Sequence, residues 1–297
     1  MHADEVSIDE GLVVELLRVQ MPDLAVLPIN KVEPWGTDNA IYRLGDQFVV
    51  RLPRIGHAVK QVELEWRWLP ELAPVVGVPV PEPVAVGRPG AGYPFDWAVH
   101  RWVPGELAVL ERMADPVAFA VELAEVIRRL AEMDPTGAPP AHNRARPLAV
   151  YDEPTRRAIE AASHLIDGSA ATRIWEDALA AEPFAGSGRW VHGDLEGNCL
   201  LLDGRLGGLV DWGSACAGDP AVDVQVVWSP LFTSESRTAF LDALDVDAAT
   251  IARAKGAAIN QACAALPYYF ETYPLIVERS RHKLAELGVH PLEPSED

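Results

Sequence analysis

The stretch Trp190-Val191-His192-Gly193-Asp194-Leu195-Glu196-Gly197-Asn198-Cys199-Leu200-Leu201-Leu202, followed by Gly208-Leu209-Val210-Asp211-Trp212-Gly213, constrains this chain more than any other. An apolar β-type run over 189–191 delivers His-Gly-Asp into a loop, and a second run over 199–202 leaves it. Asp203-Gly204 is a turn dipeptide that favours a two-residue hairpin loop, and a third run then ends in Asp211. Two acidic residues and an amide sit at strand ends a short hairpin apart, so Asp194, Asn198 and Asp211 can converge on one point. Phosphoryl transfer needs such a set: a carboxylate to take a hydroxyl proton, and an amide with a second carboxylate to hold Mg²⁺ on the phosphates. Any one of these residues alone is ordinary turn chemistry. A calcium loop over Asp194-x-Glu196-x-Asn198 fails, because its sixth position would be Cys199 rather than Gly and its twelfth Arg205 rather than Glu. The ordered set of three segments is much harder to obtain by accident.

A chain of 297 residues can support two lobes, each with its own core. Its net charge of −19 argues against nucleic-acid binding, whose footprint is a basic face. The same charge is compatible with a cationic substrate, which an acidic cleft would concentrate. Cys199, Cys216 and Cys263 form neither a metal spacing nor an even disulfide framework, which suits a reducing cytosol. The acidic start lacks the charged and apolar regions of a signal peptide, and no apolar run reaches the length of a membrane span. A cytoplasmic protein without membrane partners is expected.

Along the chain, Ser7-Ile8-Asp9-Glu10 has capping-box spacing before a helix reaching Met21, with Leu12, Val13, Leu16 and Leu17 on one face. Five β-type runs follow, over 29–35, 40–44, 48–52, 84–87 and 95–103. A helical pattern over 57–75, with Val62, Trp66 and Leu69 on one face, and a Pro-rich connector separate the third run from the fourth. The pattern over 115–134 is helical and Ala-rich, with Val121, Leu123, Ala124, Ile127 and Leu130. Further helices are expected over 154–166 and 170–181, after Asp219-Pro220, and from Ser234, Asp247 and Pro274. Strands first and helices second imply an α+β chain, divided into 1–103 and 104–297.

His192-Gly193-Asp194-Leu195 with Asn198, then Asp211-Trp212-Gly213, then Gly218-Asp219-Pro220-Ala221-Val222-Asp223, resembles the aminoglycoside phosphotransferase family of small-molecule kinases. That family's catalytic loop reads H-G-D-x-x-x-x-N, and its metal Asp lies in a D-[FW]-G-like segment. Here Asn198 comes four residues after Asp194, one fewer than usual, and Gly197, free to take positive φ, is placed to absorb the difference. The resemblance implies a bilobal protein-kinase-like fold: a small N-lobe with a five-stranded antiparallel sheet that binds nucleotide, and a larger helical C-lobe with the catalytic loop and acceptor site.

It also implies residue roles. Asp194 is the catalytic base, Asn198 and Asp211 ligate Mg²⁺, His192 braces the loop, and Asp223 binds the loop's backbone N–H groups. Arg51 stands where kinase-like folds place a strand Lys that holds phosphates and pairs with a helix Glu; Arg keeps the charge and adds a planar fork. Glu63 and Glu65 are the candidate partners, Glu65 the favoured one. Thr37, in the turn between the first two β-type runs, lies where the family covers its nucleotide. Arg101 and Val103 are the hinge positions whose backbone would bind adenine. Trp228, Tyr268, Tyr269, Glu271 and Tyr273 fall where the acceptor site is lined. The implied activity is transfer of the γ-phosphoryl group of ATP, with Mg²⁺, to a hydroxyl of a small molecule, an aminoglycoside-like cation being one candidate. Alternatives are a kinase for a macrolide, a choline-like alcohol or a sugar metabolite, or a catalytically weak nucleotide-binding module. The chain would act as a monomer or homodimer.

Overall fold

The computed structural model describes residues 5–33, 38–142 and 144–292. These separate into two compact units. The first runs to Gly105 and also includes Gly208–Gly213; the second comprises Glu106–Gly207 and the chain from Ser214.

In the first unit, α1 (Glu10–Gln20) is capped by Asp9, whose Oδ1 accepts the Leu12 N–H at 2.8 Å, so the cap is Asp9 rather than Ser7. Val13, Leu16 and Leu17 are buried at helical spacing, and the helix covers one face of a sheet. That sheet contains β1 (Ile29–Lys31), β2 (Asn39–Leu44), β3 (Phe48–Pro53), β4 (Pro83–Gly87) and β5 (Trp97–Arg101). Their order is β1-β2-β3-β5-β4, with every neighbouring pair antiparallel. Alternating side chains of β2 and β3, among them Tyr42, Leu44, Val50 and Leu52, enter a core completed by Trp97 and Tyr93. Between β3 and β4 lies α2 (Val59–Val76), which buries Val62, Glu65, Leu69, Leu72 and Val76. Trp66, expected on the packed face, is instead 47% exposed, because the buried stripe at i, i+3 and i+4 passes through Glu65.

The second unit begins with β6 (Glu106–Leu107) and α3 (Pro116–Glu132). Asp115 caps α3 by accepting the N–H groups of Val117 and Ala118 at 2.9 and 3.0 Å. Leu123, Ala124, Ile127 and Leu130 form its buried face, and Val121 is 43% exposed. After α4 (Asp152–Ala162) and α5 (Gly168–Ala180) come β7 (Arg189–Val191), β8 (Cys199–Leu202) and β9 (Arg205–Leu209). Asp203 and Gly204 both take positive φ, the conformation a two-residue hairpin between β8 and β9 requires. β10 (Cys216–Gly218) pairs antiparallel with β7. The helix expected after Asp219-Pro220 is a short α6 (Ala221–Val224) continued by a 3-10 turn over Gln225–Trp228. α7 (Ser234–Leu244), α8 (Ala248–Tyr269) and α9 (Pro274–Glu286) complete the unit. Trp175, Ile259, Leu266 and Leu284 form a core shared by α5, α8 and α9. Among the described residues no helix is long and apolar enough to cross a membrane.

Candidate active site

In the second unit, β7 and β10 pair with Val191 opposite Cys216, and this ladder fixes where the chain leaves β7 into the His192-Gly193-Asp194 loop. Asp223, fully buried on α6, holds the start of that loop with both carboxylate oxygens, accepting the N–H of His192 and of Gly193 at 2.7 Å each. The buried His192 ring accepts the Asp194 N–H at Nδ1, 3.2 Å away, so the neutral imidazole carries its proton on Nε2. Gly193 has φ +82°, and a Cβ there would lie 2.9 Å from the Ser214 carbonyl oxygen, so no other residue fits without displacing backbone. The carboxylate of Asp194 is ion-paired with Arg144, which also donates to the Gly193 carbonyl at 3.3 Å.

Past Asp194 the chain turns sharply. The Asn198 N–H donates to the Leu195 carbonyl at 3.1 Å, and Gly197 takes φ +85°. The Asn198 side-chain Nδ2 donates to the Asp194 carbonyl at 2.7 Å. With the donor end of that amide fixed on the loop, its Oδ1 is left to accept or to ligate. The one-residue shortening is therefore accommodated in the backbone, and Asn198 remains tied to Asp194.

Burial pushes the Asp223 carboxyl up to about 7, against the two N–H donors that favour its ionised form. Between an unfolded value of about 3.9 and that folded value, the native state binds the extra proton. This group's contribution to stability is thus complete at low pH and is lost as pH rises through about 7. Asp223→Ala leaves two buried N–H groups without acceptors, each worth about 1–3 kcal/mol. Urea denaturation at pH 5, below the folded value, is expected to show a loss of about 2–6 kcal/mol that shrinks as pH rises through about 7; a change below about 1 kcal/mol at pH 5 would mean that the loop does not depend on this carboxylate.

The first unit carries the other cluster. Arg51 on β3 is flanked by Ile41 of β2 and Ala98 of β5. Its guanidinium is ion-paired through Nη1 with Glu65 of α2, and Nη2 donates to Asp211 Oδ1 at 2.8 Å. Glu65 Oε1 also accepts the Trp212 N–H at 2.9 Å, so one buried carboxylate anchors both the strand cation and the segment that carries Asp211. Asp211 itself sits at φ +59°, an uncommon conformation for a side-chain-bearing residue. The segment is pinned to the sheet side by Leu209 N–H donating to the Pro79 carbonyl at 3.0 Å. Burial opposes charge on Arg51, but the Glu65 and Asp211 carboxylates outweigh it and push the guanidinium further up. Burial pushes the Glu65 carboxyl up as well, against the pull of Arg51. Glu63 is exposed, as its place one step off the buried stripe dictates.

At the hinge positions, the Arg101 N–H donates to the Glu82 carbonyl at 2.8 Å and the Trp102 N–H to the Gln47 carbonyl at 2.7 Å, while the Val103 side chain is buried. Thr37 lies outside the described residues. Trp228 is buried, and the rings of Tyr268 and Tyr269 meet edge to face with centroids 4.7 Å apart.

Two residues here carried no usable signal in the sequence. Arg144 lies in an irregular segment with no periodicity to place it. His100 is in a strand run; its ring is buried with Nε2 3.6 Å from Glu65 Oε2. Burial, with Arg51 nearby, lowers His100 to about 3, so it is neutral at physiological pH.

A five-stranded antiparallel sheet unit followed by a helical unit is the protein-kinase-like fold of the small-molecule phosphotransferases. The model described as the phosphotransferase enzyme family matches residues 31–259, and the chain belongs to that family. No curated protein matched in sequence. Among solved structures, the GDP complex of a point mutant of an aminoglycoside 2'-phosphotransferase-IIIa is similar at TM-score 0.72 and 18% identity, covering 94% of this chain and 97% of that one. The GDP and kanamycin complex of APH(2")-IIIa gives 0.71 and 19%, over 93% and 98% of the two chains. The macrolide 2'-phosphotransferase MphH from Brachybacterium faecium gives 0.58 and 23%, over 94% and 96%. At these identities the likeness is one of fold.

Proposed function

We propose that this phosphotransferase moves the γ-phosphoryl group of ATP to a hydroxyl of a small molecule, with Mg²⁺ as cofactor. The sheet unit is the nucleotide-binding part and the helical unit supplies the catalytic loop. The observation that carries this reading is the Asp194 loop. Its backbone is fixed by a carboxylate withdrawn completely from water, an arrangement expensive to maintain unless the position of Asp194 matters. Asp194 accepts the proton of the acceptor hydroxyl and orients its oxygen. Arg51 binds phosphate oxygens while Glu65 keeps its fork in place.

The residues present suit Mg²⁺, a hard cation usually held by one or two carboxylates together with substrate phosphates. By the family resemblance, Asn198 and Asp211 are the residues that would hold it. Among the described residues no three His, Cys, Asp or Glu side chains cluster as an all-protein site for another metal would require. When bound, the ion neutralises charge on the β- and γ-phosphoryl oxygens. The three free cysteines are buried, in keeping with a cytosolic setting.

The test is ADP formation from ATP, with and without Mg²⁺, across a panel of aminoglycosides, macrolides, sugars and amino alcohols. Turnover with at least one acceptor is expected, and Asp211→Asn should remove the Mg²⁺ dependence of ATP affinity, because a carboxylate becomes a neutral amide. Unchanged magnesium dependence in that variant would place the metal elsewhere; a protein that binds ATP but never turns it over would overturn the kinase reading.

A further inference from the structure

We infer that Arg279, on α9, forms an oxyanion-binding position over the catalytic loop. The inference rests on the phosphotransferase reading above and adds to it a residue outside the motifs. A Cβ built on Gly197 would lie 2.5 Å from Arg279 Nη1, 3.4 Å from Cζ and 3.7 Å from Nη2. The guanidinium therefore occupies the space that a side chain at 197 would fill, beside the loop residue between Asp194 and Asn198. Gly197 is glycine for its positive φ, and the tip of the flexible Arg279 side chain rests in the room this leaves.

Arg279 is half-buried, and among the described residues it has no ion pair and no hydrogen bond. Its neighbours explain why. Asp194 is paired with Arg144. Glu196, the nearest acidic residue in the loop, is paired with Lys283, itself only 4% exposed. Glu196 also faces a small cavity lined by Gln225, Gln261 and Lys283, where its Oε1 and the Gln225 Oε1 are buried without donors. Asp223 is committed to the backbone N–H groups of His192 and Gly193. Arg144 and Lys283 are thus taken by Asp194 and Glu196, and Arg279 is the cation at the loop that, among the described residues, faces no carboxylate of its own.

A solvated surface arginine is the ordinary alternative, but such a side chain extends into water. This one lies against the backbone of a catalytic loop whose carboxylates already have partners. A planar guanidinium held there presents paired N–H donors suited to phosphate or carboxylate. The oxyanion has two sources, the phosphoryl group in transfer or an acidic group on the acceptor. In either case the position disfavours a polycationic acceptor, which would bring further positive charge to the same place.

The experiment compares the parent, Arg279→Gln and Arg279→Lys. Binding of inorganic phosphate, with and without MgADP, is followed by intrinsic tryptophan fluorescence and thermal unfolding, with sodium chloride matching the ionic strength. The parent is expected to bind phosphate beyond the salt control. Arg279→Gln should weaken that binding about ten-fold or more, the scale of hydrogen bonds to a charged group, and Arg279→Lys should recover part of it. Transfer to neutral and to phosphorylated or carboxylated sugars then separates the sources. An equal loss for both classes in Arg279→Gln assigns the site to the transferring phosphoryl group, and a loss confined to acidic sugars assigns it to the acceptor. If the parent shows no phosphate binding beyond salt, or Arg279→Gln binds phosphate as tightly as the parent, the inference fails while ATP turnover leaves the kinase reading intact. Arg279-dependent phosphate binding without any ATP turnover sinks the kinase reading instead and leaves the oxyanion position standing.

Discussion

Asp194→Ala is expected to reduce phosphoryl transfer by about 10²–10⁴-fold, the usual loss when a positioned general base is removed. The fold should survive, because the loop does not depend on this carboxylate. Its backbone is held through the N–H groups of His192 and Gly193 on Asp223, and Asn198 is tied to the Asp194 carbonyl, which alanine retains. Arg144 loses this ion pair but keeps its bond to the Gly193 carbonyl, and both members of the pair are about a third exposed, 36% and 32%. Pairs with such access to water contribute roughly 0–1 kcal/mol. Steady-state transfer to the best acceptor, measured beside a urea titration, separates the two effects. Retention of more than about a tenth of the rate would remove Asp194 from the chemistry, on the scale set by general-base loss. A loss of stability well above 1 kcal/mol would instead make its carboxylate structural.

The second large effect is on stability. Arg51→Met leaves Glu65, 2% exposed, with a buried charge and no cation, and removes the donor on Asp211. Breaking one side of a buried ion pair typically costs about 3–5 kcal/mol, and a loss of that size is expected in chemical denaturation, together with weaker ATP binding. Adding Glu65→Leu should restore part of the stability, since a buried pair replaced by apolar side chains is often neutral. Recovery should be incomplete, because the Trp212 N–H then loses its acceptor, a penalty of about 1–3 kcal/mol. If Arg51→Met costs less than about 1 kcal/mol, far below the usual scale for a broken buried pair, the ion-pair chain is not what holds Asp211 against the sheet.

Much of the framework was legible because it follows from short-range rules. The hairpin at Asp203-Gly204 needs two residues tolerant of positive φ, and they are adjacent in the chain. The family resemblance favours Glu65 over Glu63, and the buried face of α2, Val62, Glu65 and Leu69, shows the helical spacing that goes with it. Five strands formed from the β-type runs pair as one antiparallel sheet, the outer β1 and β4 more exposed and the inner β3 and β5 buried along most of their length. The same rules misjudged Trp66, whose apolar character says nothing about which edge of a helix stripe meets a neighbour.

The sequence by itself determined the local geometry of the Asp194 loop, down to a glycine that turns the shortened segment, because backbone sterics act within a few residues. Only the tertiary structure decided which charges meet. Arg144 on Asp194, Lys283 on Glu196, Arg279 against Gly197 and Asp211 on Arg51 each join residues far apart in the chain. Arg and Lys occur throughout the sequence with no period, and an ion pair depends on where packed helices and strands bring two side chains. That is fixed by the burial of apolar faces elsewhere, so the electrostatics of each cluster follow from the core of its own unit rather than from the motif.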